Sequence, residues 1–586
     1  MHKRWRFEKP VDPQGDCGAA LGDELGIDPL VARLLTRRGH GDSEAAKRFL
    51  TPKLTGLHDP ALLPGLDDAA NRIAQAVRDG QPIVIFGDYD VDGVTACAIM
   101  WHVLTAAGAK VRCYIPHRID EGYGLNSQAI EQLAQPSNGG MTPLVVSVDC
   151  GITAIEPARV ARDRGIELII TDHHELPLHD LPPASILVHP RLADSRYPFG
   201  YLCGAGVAFK LAWQFAKVHC GSPRVPAVFR DLLMDLLSLA ALGTVADVVP
   251  LIDENRIMTA FGLGQIKRTR FAGLNAMIDA ARLREEKINA FHVGFVLAPR
   301  LNAAGRMGHA QQALQLLTEA DDAQARQISS FLVSENERRR ATERTVFEQA
   351  HQMVIDAGHD RDDCRAIVLG RENWHPGVLG IVAARLVDKF ARPTILLNIE
   401  NGEAHGSARS VESVPIHEVI GNCDDLLTSH GGHAMAAGVR LEATNLEEFR
   451  TRLTEQINTI LEPEDLIHTI DVDDTCTIDQ LDTPLVAQIE RLAPFGRANP
   501  SPRLCLRRVR IDAPPQRVGG EGSHLRLTLR QNNRSAKAIG FGLGDLADQL
   551  TAGMHLDLVI EPKLSRWQGR TSVDLHLKDL KRAEKA

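Results

Sequence analysis

Short apolar, β-branched runs alternate with helical stretches through the first half of this chain. Ile83 to Phe86, Leu144 to Val148 and Ile166 to Ile170 read as buried strands, with helical spacing between them, as in Val94 to Ala107. That alternation predicts βαβ units: an α/β fold with a doubly wound, mostly parallel sheet. From His309 to about Gly358 the chain is proline-free and rich in Ala, Gln, Glu and Arg, which predicts long linking helices. The run Glu335 to Arg340 within it is expected to be a solvated helix face. Ala366 to Leu369 and Thr394 to Leu397 open a second α/β domain. Beyond Glu462-Pro463-Glu464-Asp465 the period becomes two, at Leu525, Leu527 and Leu529, then Leu556 and Leu558, then Val573, Leu575 and Leu577. Several short alternating strands with Gly-rich turns predict a small C-terminal β-barrel of the OB type. The expected boundaries are a lead-in over 1–60, the first α/β domain over 61–305, linking helices over 306–358, the second α/β domain over 359–461 and the barrel over 462–586.

Composition adds limits. The 586 residues suffice for three or four domains, and 44% hydrophobic with 24% charged residues is an ordinary globular balance. No apolar run is long enough to span a bilayer, and the charged N-terminus lacks a following apolar stretch, so the expected location is the cytoplasm. Ten cysteines without any CxxC pair predict reduced, mostly buried thiols. The net charge of −9 is unevenly spread: residues 501–586 hold 16 Lys and Arg against 9 Asp and Glu. A basic end suits a polyanion, while acidic residues elsewhere suit cations.

The chemistry lies where the three strands end. Phe86 runs into Gly87-Asp88-Tyr89-Asp90-Val91-Asp92-Gly93, Val148 into Asp149-Cys150-Gly151, and Ile170 into Thr171-Asp172-His173-His174. Ligands of open α/β sheets bind at the carboxyl ends of strands, so these clusters are expected to converge. Carboxylates with one or two imidazoles suit a divalent cation in octahedral geometry, Mn²⁺ first and Mg²⁺ second. Asp149 is the candidate to bridge two such ions. Asp247, after an apolar helical stretch from Leu232 to Ala241, is a fourth carboxylate source, with a helix cap or buried salt bridge as the alternative. No GxxxxGK[ST] motif is present, and Gly204-x-Gly206 lacks a third glycine, which counts against a nucleotide-binding loop.

Asp90-x-Asp92-Gly93, Val148-Asp149-Cys150-Gly151 and Asp172-His173-His174 together resemble the signature of the DHH phosphoesterase family, and Gly431-Gly432-His433-Ala434 resembles the motif of its associated DHHA1 domain. Arg300-Leu301-Asn302-Ala303-Ala304-Gly305-Arg306, Trp374-His375-Pro376-Gly377 and the OB-like tail resemble the RecJ branch of that family. The resemblance implies a 5′-to-3′ exonuclease of single-stranded DNA serving repair and recombination, with a single-strand-binding protein and a helicase as partners; a monomer is the default expectation. It also implies that Asp90, Asp92, Asp149, His173 and Asp247 hold two metals, with Asp88 as an additional ligand. Where many relatives carry a histidine four residues before Asp90, this chain has Phe86. Asp172 would orient a histidine and His174 would touch the scissile phosphate. Arg118 and Arg306 would bind phosphate, and Ser407 and Arg409 the 5′-terminal phosphate. His433 would assist, as would the N–H groups of Gly431 and Gly432 through an anion-binding nest. The rival readings are a nanoRNase or cyclic-dinucleotide phosphodiesterase of the same family, and a catalytically inactive replication scaffold.

Overall fold

The computed structural model describes residues 3–7, 17–116, 124–133, 141–177, 180–193, 195–306, 310–567 and 569–583. They fall into two compact units. One is Trp5–Asn302 with Ala310–Ser329 and Asp471–Ala586; the other is Met1–Arg4 with Ala303–His309 and Ser330–Ile470.

In the larger unit, strands β1 (Ile83–Gly87), β2 (Val111–Tyr114), β3 (Leu144–Val148), β4 (Leu168–Thr171) and β5 (Ile186–Val188) form an all-parallel sheet ordered β2-β1-β3-β4-β5. Every residue of β1 and β3 is buried, as central strands covered on both faces require. Helices α2 (Ser127–Leu133) and α3 (Ile155–Asp163) pack on one face. Helices α1 (Val91–Ala106), α4 (Gly204–His219) and α5 (Ala227–Ala246) pack together on the other. Twelve of the sixteen residues of α1 are buried, which places it between the sheet and its neighbouring helices instead of at the surface. The sheet order reverses between β1 and β3, so the crevice beyond their carboxyl ends is the position where such folds bind ligands.

The C-terminal strands of the same unit are β11 (Asp474–Cys476), β12 (Leu504–Ile511), β13 (Gln516–Val518), β14 (His524–Gln531), β15 (Arg534–Gly540), β16 (His555–Trp567) and β17 (Arg570–Arg582). Their order is β11-β12-β16-β17-β15-β14-β13, and pairing of β12 with β14 closes the barrel. Leu525, Leu527, Leu529, Leu556, Leu558, Leu575 and Leu577 all point into its core. The N-terminal lead-in joins that core: helices Pro29–Arg37 and Ser43–Leu50 place Leu30, Leu34, Leu35 and Phe49 there.

In the smaller unit, β6 (Ile367–Glu372), β7 (Thr394–Glu400), β8 (Glu403–Arg409), β9 (Leu427–His433) and β10 (Ala436–Glu442) are ordered β9-β10-β8-β7-β6, with only β6 and β7 parallel. Helix α6 (Asp322–Asp356) lends Val346, Ala350 and Val354 to a core shared with α7 (Pro376–Phe390). Contrary to the expectation of a solvated arginine run, Arg339 is buried on α6, held by Asn336 and Glu343, because one helix face of the run turns inward.

Candidate metal centre

The strand ends converge. Asp88 follows β1, Asp90 caps α1 by accepting from the Gly93 N–H, Asp149 follows β3, and His173 follows β4. Asp247 stands at the C-terminal end of α5. Ligand atoms of Asp88, Asp90 and Asp149 lie within 4.8 Å of one another, as do those of Asp92, His173 and Asp247, and those of Asp149, His173 and His174. Asp149 thus belongs to two groups. His173 Nε2 is 3.1 Å from Asp149, 3.6 Å from Asp92 and 3.7 Å from Asp247.

Local backbone chemistry builds this arrangement. Asp149 adopts φ 61°, a left-handed conformation unusual outside glycine, at the reversal point of the sheet. The Asp92 carboxylate accepts from the N–H groups of Gly204 and Ala205, so it also anchors the N-terminus of α4, where the helix dipole favours an anion. A Cβ on Gly204 would stand 2.4 Å from the Asp149 carboxyl, and one on Gly243 would stand 2.5 Å from Asp92. Glycine is therefore required sterically at both places. Gly204→Ala is expected to lower stability by about 1–3 kcal/mol through overpacking and to weaken Mn²⁺ binding; denaturant melts and a metal titration check both.

Electrostatics make the cluster a poor resting place for bare charge. Burial and the Asp92 charge raise the Asp90 pKa. Burial, with Asp92, Asp90 and Asp247, raises that of Asp149 well above the usual range. Burial and the charges of Asp92 and Asp90 push Asp247 up to about 8. Burial lowers His173 to about 4, so its imidazole is neutral and available as a ligand. His174 is opposite: burial would lower it, but the hydrogen bond and charge of Asp172 bring it to about 9. Asp172 accepts from His174 Nδ1 at 2.7 Å and from the N–H groups of Ile152, His173 and His174. Its carboxylate is engaged in holding the histidine loop, and the imidazole it orients is that of His174. Burial also raises the Cys150 thiol far above neutrality, which removes it as a nucleophile.

The donor set fits divalent cations. Asp149 Oδ1 and His173 Nε2 are buried and 3.1 Å apart, yet neither makes a hydrogen bond. Buried polar atoms left in that state are rare unless an ion completes them. Phe86, at the place of the relatives' histidine, is fully buried in the core and stacks on Tyr114, so it supplies no ligand.

Two residues that sequence reasoning passed over support the site. His189 Nε2 lies 2.8 Å from the His174 carbonyl, and Arg191 donates to the carbonyls of His173 and His174. Both follow β5, whose three residues are too few to stand out as an apolar run; the strand-end rule applied there would have found them.

The remaining candidates lie elsewhere. Arg118 falls outside the described residues. In the smaller unit, Arg306 Nη1 reaches the Gly377 carbonyl at 3.4 Å, and a Cβ on Gly380 would stand 2.7 Å from the Arg409 guanidinium. Both arginines therefore meet the first turns of α7, whose N-terminus favours anions. Strand register sets Ser407, Gly438 and Gly431 in one row and Arg409, Ala436 and His433 two rows along. The nest expected of Gly431 and Gly432 is not formed: both residues lie in the β9–β10 ladder, because antiparallel pairing extends them. They remain exposed at a sheet edge.

Family profiles match in three places: the DHH family N-terminal domain over residues 82–244, the DHHA1 domain over 363–459 and the RecJ OB domain over 472–579. The single-stranded-DNA-specific exonuclease RecJ of Bacillus subtilis is 38% identical over 578 residues, spanning 98% of this chain and 70% of that protein. The crystal structure of RecJ from Thermus thermophilus in complex with Mn²⁺ superposes with a TM-score of 0.82 at 30% identity, covering 99% of this chain and 80% of that one. Its complex with Mg²⁺ gives 0.76 at 28%, covering 100% and 79%. Sequence identity along nearly the whole length, all three domain matches and a shared architecture agree: the chain belongs to the RecJ family.

Proposed function

We propose that this chain is a metal-dependent exonuclease that hydrolyses phosphodiester bonds of single-stranded DNA, working from the 5′ end in repair and recombination. The observation that carries the reading is the buried carboxylate–imidazole cluster at the sheet reversal, with Asp149 common to two ligand groups. Asp88, Asp90, Asp92, Asp149, His173 and Asp247 would hold two divalent cations, Mn²⁺ foremost with Mg²⁺ as the second choice. When bound, these supply Lewis acidity at the phosphoryl oxygens and acidify the attacking water.

The chain's own groups do the rest. Neutral His173 offers a lone pair. Protonated His174, held by Asp172, donates to a phosphate oxygen and offsets its charge. Arg306 binds a strand phosphate, and Ser407 and Arg409, with His433 and the edge amides of Gly431 and Gly432, bind the 5′-terminal phosphate. The OB barrel holds the strand further along, and this favours long DNA over the dinucleotides of shorter family members. A helicase would supply single strands and a single-strand-binding protein would coat them, and a monomeric cytoplasmic enzyme meets that substrate.

The test is digestion of 3′-labelled, 5′-phosphorylated single-stranded DNA with Mn²⁺, beside duplex DNA and short RNA. Progressive 5′ shortening of the single strand is expected. Arg409→Ala should raise KM for the phosphorylated strand about tenfold and narrow its advantage over a 5′-hydroxyl strand. Preference for short RNA would sink the reading.

A further inference from the structure

The segment between helix Thr483–Glu490 and strand β12, Pro494-Phe495-Gly496-Arg497-Ala498-Asn499-Pro500, has no place in the motifs above. Its backbone is unusually constrained. The Arg497 carbonyl accepts from the Leu251 N–H at 2.8 Å, four residues beyond Asp247. Gly496 and Asn499 exchange backbone hydrogen bonds of 2.9 and 3.1 Å. The buried Asn499 side chain donates to the carbonyls of Leu492 and Pro494, and Arg38 donates to that of Pro500. A Cβ on Gly496 would stand 2.7 Å from the Leu251 side chain, so the loop lies directly on the turn that follows Asp247. Ala498 adopts φ 60°, a strained value held by these contacts.

On this fixed backbone, the Arg497 side chain is exposed and makes no hydrogen bond or salt bridge among the described residues. An exposed guanidinium carried on a backbone pinned to the turn four residues beyond Asp247 offers the planar, multi-donor chemistry that recognises phosphate.

We propose that Arg497 binds a non-bridging phosphate oxygen of the DNA strand at the point where the strand passes from the barrel to the metal centre. It is a substrate-positioning residue contributed by the barrel side of the larger unit. The assignment rests on the exonuclease reading and adds a contact to it.

The test compares wild type, Arg497→Ala and Arg497→Lys. Binding of a labelled, 5′-phosphorylated oligonucleotide is measured with Ca²⁺ in place of Mn²⁺, over a salt series. Mn²⁺ titration and thermal melts of the free proteins accompany it. Arg497→Ala is expected to raise Kd about tenfold and to make the salt slope shallower by about 0.7, the loss of one phosphate contact on a single strand. Arg497→Lys should restore the slope but only part of the affinity, and Mn²⁺ affinity should stay unchanged. Unaltered DNA binding in Arg497→Ala overturns the proposal. So does a change in Mn²⁺ affinity that tracks the DNA effect, since Arg497 would then act on the carboxylates. Wild type that binds the strand with Ca²⁺ but does not cut it when Mn²⁺ is supplied overturns the exonuclease reading alone, while the binding comparison still decides the role of Arg497. Wild type that binds no single strand overturns both.

Discussion

Asp149→Asn is expected to reduce hydrolysis by at least about a thousandfold, the largest effect of any single substitution in this chain. The amide preserves the size of a side chain that is only 3% exposed, so packing changes little. What it removes is the negative charge common to two of the ligand groups. Calorimetric Mn²⁺ titration should accordingly show both binding events weakened. Stability moves the other way in metal-free protein. Asp149 is repelled by Asp92, Asp90 and Asp247, so the neutral amide should melt higher than wild type without metal and lower than wild type with it. Activity within about tenfold of wild type would show that Asp149 does not bridge.

Removing the metal is the second large perturbation, and its sign depends on pH. Asp90, Asp149 and Asp247 all have folded-state pKa values raised by burial and by neighbouring carboxylates, Asp247 to about 8. A carboxyl raised in this way contributes stability that is complete below its unfolded value, about 4. That contribution is lost as pH rises through the folded value. Chelated protein should therefore lose Tm progressively between about pH 5 and pH 9. Cations replace the protons that neutralise the cluster, so Mn²⁺ binding should release protons and tighten over the same interval. At free Mn²⁺ about a hundred times Kd, the gain is about 2.7 kcal/mol. Melting curves of chelated and Mn²⁺-loaded protein across pH decide the matter. Parallel curves would mean that the raised carboxyls are not the metal ligands.

Much of this was legible in the chain itself, for local reasons. Buried central strands are continuous apolar runs, so β1, β3 and β4 and the acidic turns behind them could be read directly. Period-two leucines likewise announced the barrel. Edge strands carry a weaker signal: β2 is interrupted by Arg112 and β5 is only three residues long, so both went unseen, together with His189 and Arg191 behind β5. Tertiary structure alone decided the rest. The apolar faces of the N-terminal helices mark them as packed, but not that their partner is a barrel more than 400 residues away in sequence. Asp92 had to be shared between the cluster and the N-terminus of α4 because that helix happens to start against it. Arg306 and Arg409 meet at α7, and Arg497 lies near Asp247, only because long-range packing closes those loops. Strand periodicity and acidic turns are properties of neighbouring residues and so are written in order along the chain. Which distant side chains share a low-dielectric pocket, and hence which carboxyls are driven to bind cations, depends on how the elements pack.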